Sequence, residues 1–335
     1  MKLLVIRFSS IGDIVLTTPV LRCIKKQLPG TELHFLTKER YRSILEANPY
    51  VDKIITLGLS KTLMMHQLKT EKYDAIIDLH HNLRTWEVKR ALKGVPAYSF
   101  HKLNWQKWLM TACKINRLPQ QHIVDRYLAT TSSFGVMNDG EGLDYFIPEE
   151  QQVTANDLPL SHQMGYIALV IGAAHATKQL PVERCIELCR LLSLPVILLG
   201  GKVDHARGEQ IANHDPIKVY NACGKFSLHE SADLVRKSLL VITPDTGLMH
   251  IAAAFKKPII SIWGNTIPAF GMTPYYGRHQ VPQQFSEVQL GCRPCSKIGH
   301  DACPKKHFNC MQQQDLQPIQ QWVQELLSYA QGSMK

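Results

Sequence analysis

Three short segments of the 335-residue chain place reactive side chains directly after apolar runs. In RFSSIGDIVLTTPV, residues 7–20, the run KLLVI gives way to a small-residue turn and then to Asp13 at the start of helical sequence. A carboxylate at a strand's carboxyl edge can take a proton from a substrate hydroxyl. The same residue can also do no more than cap a helix. Gly12 lets the backbone turn tightly and leaves room for a ligand, with Ser10 in the same turn. In ITPDTGLMHIAAA, residues 242–254, Asp245 lies in a turn and Thr246-Gly247 open a helix. The first free N–H groups of that helix form an anion site. Gly247 permits close approach by a phosphate, and the Thr246 hydroxyl adds a donor. His250 lies one turn on, on the same face. The plainer reading is an Asp/Thr cap with a satisfied core histidine. In IGAAHATKQLP, residues 171–181, a small-residue loop leads to Lys178, which could balance a diphosphate as a point charge.

A fourth segment, LGCRPCSKIGHDACPKKHFNCM at 290–311, brings Cys292, Cys295, Cys303 and Cys310 together in sequence, with His300 and His307 nearby. Four thiolates opening on CxxC can hold a structural zinc. Irregular gaps and a single CxxC pair fit reduced packing thiols as well. Residues 84–117 carry eight lysines and arginines against one acid, Glu87, with Trp86, Trp105 and Trp108 among them. Such a stretch can lie against lipid headgroups or hold a polyanionic substrate. Alternatively it is a solvated helix face with its tryptophans packed inward.

The elements that must position these residues alternate in a βαβ rhythm, which implies mostly parallel sheets. Strands are expected at 2–6, 32–37, 53–57 and 74–79, and a helix at 19–28 with Thr18 as its cap. Residues 148–163 are polar, hold two prolines and read as a linker. The rhythm then restarts, with strands at 165–171, 195–199, 239–243 and 258–263 and helices at 182–193 and 247–255. A last helix is expected at 316–330. The fold class is α/β: two doubly wound halves facing a cleft, where the ligand sits at the strands' carboxyl ends. The boundaries fall at 1–155, 164–315 and a terminal helix and tail at 316–335.

Composition excludes other classes. At 45% hydrophobic and 20% charged, the chain buries a sizeable core and is not disordered. Its longest apolar runs, such as LPVILL at 194–199, are strand-sized, well short of the ~20 residues of a membrane span. Arg7 cuts the first apolar run before it reaches leader length, so a cytoplasmic protein is expected. Nine cysteines, an odd number, fit reduced thiols. A net charge of +10 points to anionic partners.

Together these motifs resemble glycosyltransferase family 9, the ADP-heptose:lipopolysaccharide heptosyltransferases. The resemblance runs through GDIVLTTPVL at 12–21, KQLP at 178–181, Gly200-Gly201, DTGLMHIAAA at 245–254 and Trp263-Gly264. It implies the GT-B fold of two Rossmann-like domains, acceptor on the first and nucleotide sugar on the second. It also implies inversion at the anomeric carbon and no metal or other cofactor at the donor. By resemblance Asp13 is the general base, with Ser10 and Gly12 on the acceptor side. Lys178, Asp204, Asp245, Thr246, Gly247 and His250 fall on the donor side. Many relatives have tryptophan where Leu180 stands. The implied partners are an ADP-sugar, heptose foremost, and an anionic glycolipid acceptor, with peripheral contact at the cytoplasmic face of the inner membrane and no nucleic acid. Two other classes stand beside this one. A nicotinamide-dependent α/β enzyme would need the GxGxxG fingerprint, which the chain lacks. A zinc or nucleic-acid binder would leave the two α/β halves without a purpose.

Overall fold

The computed structural model describes residues 1–58 and 60–332. The first half holds β1 (Lys2–Ile6), α1 (Ile11–Val15), α2 (Thr18–Gln27), β2 (Glu32–Lys38), α3 (Ser43–Glu46) and β3 (Lys53–Leu57). It continues with α4 (Lys61–Thr70), β4 (Ala75–Asp78), α5 (Leu83–Ala91), β5 (Ala97–Ser99), α6 (Asn104–Trp108) and α7 (Ile123–Leu128). A strap of short turns with α8 (Leu160–Gln163) leads to the second half. There follow β6 (Ile167–Val170), α9 (Val182–Leu191), β7 (Val196–Leu199), α10 (His205–Ala212), β8 (Val219–Asn221) and α11 (Leu228–Lys237). The chain ends with β9 (Leu240–Pro244), α12 (Gly247–Ala254), β10 (Ile259–Trp263), β11 (Gln283–Glu287), α13 (Asn309–Gln312) and α14 (Gln317–Gly332).

Both sheets are parallel, in the orders β3-β2-β1-β4-β5 and β11-β10-β9-β6-β7-β8. Each chain path winds outward from an inner strand and then restarts on that strand's other side. The reversal falls between β1 and β4 in the first sheet and between β6 and β9 in the second. Open α/β sheets bind ligands outside the carboxyl ends of the strands at such a reversal. Asp13 follows β1, Lys178 follows β6, and Asp245-Thr246 follow β9, so the topology delivers all of them to the same kind of place.

The strands read as continuous apolar runs because both faces are covered. Leu3 and Val5 enter one buried cluster, while Leu4 and Ile6 enter another on the opposite face. The first of these clusters passes through both halves, joining Leu3, Val5 and Phe35 to Ala168, Val241, Met249 and Trp263. On the far face of the second sheet, Leu316, Ile319 and Val323 pack beside Ile167, Leu169 and Ile260. The expected terminal helix is therefore part of that core, and residues 333–335 of the expected tail lie outside the described residues.

Three strands escaped the sequence reading. β5 and β8 have three residues each, and β11, QQFSE, has a single apolar side chain. Thr18 is not the cap of α2. The helix begins at Thr18, and the Thr17 and Thr18 hydroxyls instead bond back to the Ile14 and Val15 carbonyls. Among the described residues no helix is long and apolar enough to cross a membrane.

Candidate functional site

One cleft of about 870 Å³ opens between the carboxyl edges of the two sheets. The acceptor-side and donor-side residues expected from sequence all line it: Ser10, Gly12 and Asp13 from the first half, and Lys178, Asp204, Asp245, Thr246, Gly247 and His250 from the second; the four tail cysteines do not.

Asp13 lies in the first turn of α1. Its Oδ2 accepts from the Ser10 N–H and the Ser10 hydroxyl, each at 2.9 Å. Its Oδ1 pairs with Arg7 Nη2 at 2.6 Å. The cap reading holds, and the capped carboxylate still lines the cleft, where the acid–base expectation needs it. Burial pushes the Asp13 carboxyl up, but the Arg7 charge and the Ser10 hydrogen bonds outweigh it, and the net direction is down. Asp13 is therefore ionised at neutral pH.

Arg7 was not singled out from sequence. It sits just past β1 with 8% of its surface exposed, and also lines the cleft. A cation at the end of a buried run needs a counter-charge, and Asp13 is the first carboxylate after it. That was the available signal. His80, after β4, and Lys102 and Lys107, around α6, were missed as site residues too. Burial and then the Arg7 charge pull His80 down to about 4, so its imidazole is neutral. Burial, with Arg126 and Lys297 nearby, lowers Lys107 to about 8.

On the opposite wall, Thr246 is the N-terminal cap residue of α12, in extended backbone, with Gly247 opening the helix. Lys178 donates to Asp245 Oδ2 at 2.6 Å, and Thr266 Oγ1 donates to the same oxygen at 3.1 Å. His250 is 2% exposed, its Nδ1 has no partner among the described residues, and burial lowers it to about 4. A histidine held neutral beside a helix N-terminus leaves that terminus free to meet an anion.

Several expectations change in detail. Gly12 is inside α1 and not in left-handed backbone. A Cβ there would come within 2.5 Å of His250 Cδ2, so the space it frees is taken by the other half. Gly247 likewise lies against Ile11, where a Cβ would meet Cγ2 at 2.8 Å. Asp204 is 7% exposed, and its Oδ2 accepts the Gly201 N–H at 2.9 Å. It closes a glycine turn at the cleft's edge, so its carboxylate is already engaged before any ribose arrives. The tryptophans of 84–117 do not pack inward: Trp86, Trp105 and Trp108 are 53%, 65% and 51% exposed. Trp105 and Trp108 stack on each other at 5.0 Å, beside the mouth lined by Asn104 and Lys107. Among the described residues, the four tail cysteines lie near enough to act on one another's thiols but do not meet at metal-ligand spacing. Among the described residues, the one group of histidine, cysteine and carboxylate ligand atoms at metal spacing is Glu32, His34 and Glu71. Lys2 and Lys53 already pair with Glu71 there. Burial raises the Cys310 thiol to about 11, and the Cys295 thiol moves the same way. The organiser of that segment is the buried Arg293, which donates to the carbonyls of Trp263, Gly264 and Thr266.

With this geometry in view, comparison with known proteins is specific. The model of glycosyltransferase family 9 (heptosyltransferase) matches residues 62–305. Lipopolysaccharide heptosyltransferase 1 of Campylobacter coli is 26% identical over 290 residues, covering 79% of this chain and 84% of that protein. The crystal structure of a family 9 glycosyl transferase from Veillonella parvula DSM 2008 superposes with a TM-score of 0.77 at 23% identity, covering 98% and 97% of the two chains. The E. coli heptosyltransferase WaaC with ADP-2-deoxy-2-fluoro heptose gives 0.67 at 20% identity, covering 97% and 99%. The paired parallel sheets are those of these GT-B-like enzymes, and the chain belongs to glycosyltransferase family 9, the heptosyltransferases.

Proposed function

We propose that this glycosyltransferase moves heptose, with inversion, from ADP-heptose to a sugar hydroxyl on an anionic lipopolysaccharide-core acceptor. One observation carries the reading: an ionised carboxylate from the first half and a lysine beside a helix N-terminus from the second line a single cleft. The relatives' names supply the sugar and the acceptor class, and the complex with a fluorinated ADP-heptose supplies the nucleotide.

The acceptor lies against the first half with its hydroxyl on Asp13. That hydroxyl's proton passes to Asp13 as its oxygen attacks the anomeric carbon, and the bond to the diphosphate breaks. The transition state is oxocarbenium-like. Negative charge gathers on the leaving diphosphate, where Lys178, the Thr246 hydroxyl and the first N–H groups of α12 await it. Such donors act more on the transition state than on the ground state. Lys102 and Lys107 give the acceptor wall a positive field for an anionic glycolipid. The exposed Trp105–Trp108 pair beside the cleft mouth suits peripheral contact with lipid headgroups at the cytoplasmic face of the inner membrane. Nucleic acid has no part in this reading.

The decisive experiment is Asp13→Asn with ADP-heptose and an isolated core acceptor. Turnover falls by about 10³-fold, within the usual range for a general base, while ADP binding persists. Near-normal turnover would remove Asp13 from the mechanism.

A further inference from the structure

The Arg7 guanidinium is held from four directions. Its Nε donates to the Ser9 carbonyl at 2.7 Å. Its Nη1 donates to the Leu79 carbonyl at 2.5 Å and to the Tyr127 hydroxyl at 2.8 Å. Its Nη2 holds Asp13 Oδ1 at 2.6 Å. Tyr127, on α7, is fully buried and packs edge-on against Phe100 at 4.9 Å. The fork is thus fixed by the turn after β1, the residue after β4 and α7 before it touches α1. A planar guanidinium held at so many points confers direction as well as charge.

The consequence lies in the carboxylate's lone pairs. Each oxygen of an ionised carboxylate offers about two acceptor positions. On Asp13 Oδ2 both are filled by Ser10. On Oδ1 Arg7 fills one, and the other has no partner among the described residues. The Asp13 side chain is 18% exposed and lines the cleft.

We propose that Arg7 is a positioning residue that turns Asp13 so that Oδ1 alone receives the acceptor's proton, with Tyr127 fixing the angle of the fork. The proposal rests on the reading of Asp13 as the base. In the step itself the acceptor O–H bond breaks and its proton goes to Oδ1. The electron pair left on oxygen forms the bond to the anomeric carbon. The pair of the breaking carbon–oxygen bond leaves with the diphosphate. Arg7 keeps its charge throughout, so it opposes protonation of Asp13 and holds the base weak but aligned. The other charged or titratable groups facing Asp13 are Tyr127, His80, Lys102, Lys107 and His250. None of the five is hydrogen-bonded to the carboxylate.

The test compares Arg7→Gln, Arg7→Lys and Tyr127→Phe by kcat and by the acidic limb of kcat/KM. Without the Arg7 charge, burial, the largest influence on Asp13, is opposed only by the two Ser10 hydrogen bonds. Arg7→Gln should acquire an acidic limb above the ordinary carboxylate value of about 4, where the unaltered enzyme shows none. Its kcat should fall about 10²-fold, the scale of a misplaced reacting group. Arg7→Lys keeps the charge and loses the fork, so kcat falls and the limb stays low. Tyr127→Phe lowers kcat a few-fold with the limb unmoved. ADP binding, read in parallel, reports an intact fold. If Arg7→Gln folds and its limb stays in place, the proposal is overturned. If Arg7→Gln does not fold, Arg7→Lys decides: unaltered kcat overturns it. A fully active Asp13→Asn would instead sink the base assignment, which separates the two failures.

Discussion

The two walls of the cleft carry charge in opposite ways. On the second half the lysine is already neutralised: Lys178 is paired with Asp245, and further donors there are the Thr246 hydroxyl and the backbone N–H groups of α12. On the first half Lys102 and Lys107 have no carboxylate partner among the described residues, and burial depresses both. Under the proposed function, a wall that must let go of a nucleotide diphosphate gains from an internal competitor for its lysine. Under the same proposal, a wall that receives an anionic acceptor gains from cations with nothing yet to hold. The difference separates recognition by backbone and short side chains from recognition by long ones.

The sharpest way to break this comparison is Lys178→Ala. Removing a donor aimed at developing charge should lower kcat by about 10²–10³-fold, with acceptor KM nearly unchanged. A change confined to acceptor KM would put Lys178 on the wrong wall. A smaller effect is expected at Lys107, whose ammonium is charged below about 8 and neutral above it. Acceptor affinity should weaken as pH rises through that value while donor affinity holds. Lys107→Gln should abolish the dependence and raise acceptor KM about tenfold, the price of one weakened charged contact. A pH profile that survives the substitution would assign it elsewhere. The smallest effect is expected from Trp105→Ser with Trp108→Ser. Sedimentation with phosphatidylglycerol vesicles should weaken several-fold, and activity on a detergent-solubilised acceptor should not change. Equal binding by the double variant would mean that the stacked pair does not touch lipid.

The same contrast explains what could be read from sequence. The second half's wall is written locally: DTGLMHIAAA carries its own turn, helix start and small residues within ten positions. Asp13 was legible for the same reason, because strand, turn and helix start are contiguous. Arg7, His80 and Lys107 reach the cleft from three separate segments, and no spacing rule connects them. The purpose of Gly12 was misread because its neighbour, His250, lies 238 positions away and belongs to the other half. The cysteine spacing left zinc and packing thiols equally readable because sequence shows how close thiols are along the chain but not that Arg293, between them in sequence, turns away to the carbonyls at the end of β10. The short edge strands β5 and β8 carry too few residues for any period to emerge.

The apolar cluster shared by the two sheets has a consequence for dissecting this molecule. A cut anywhere in the strap at 148–163 would leave two fragments, each bearing a raw greasy flank that water punishes. Neither piece should behave as a tidy standalone module, yet the matching flanks give them a reason to reassociate when produced together. Split-protein reporters and co-expression of fragments are therefore better suited to this enzyme than the isolation of either lobe.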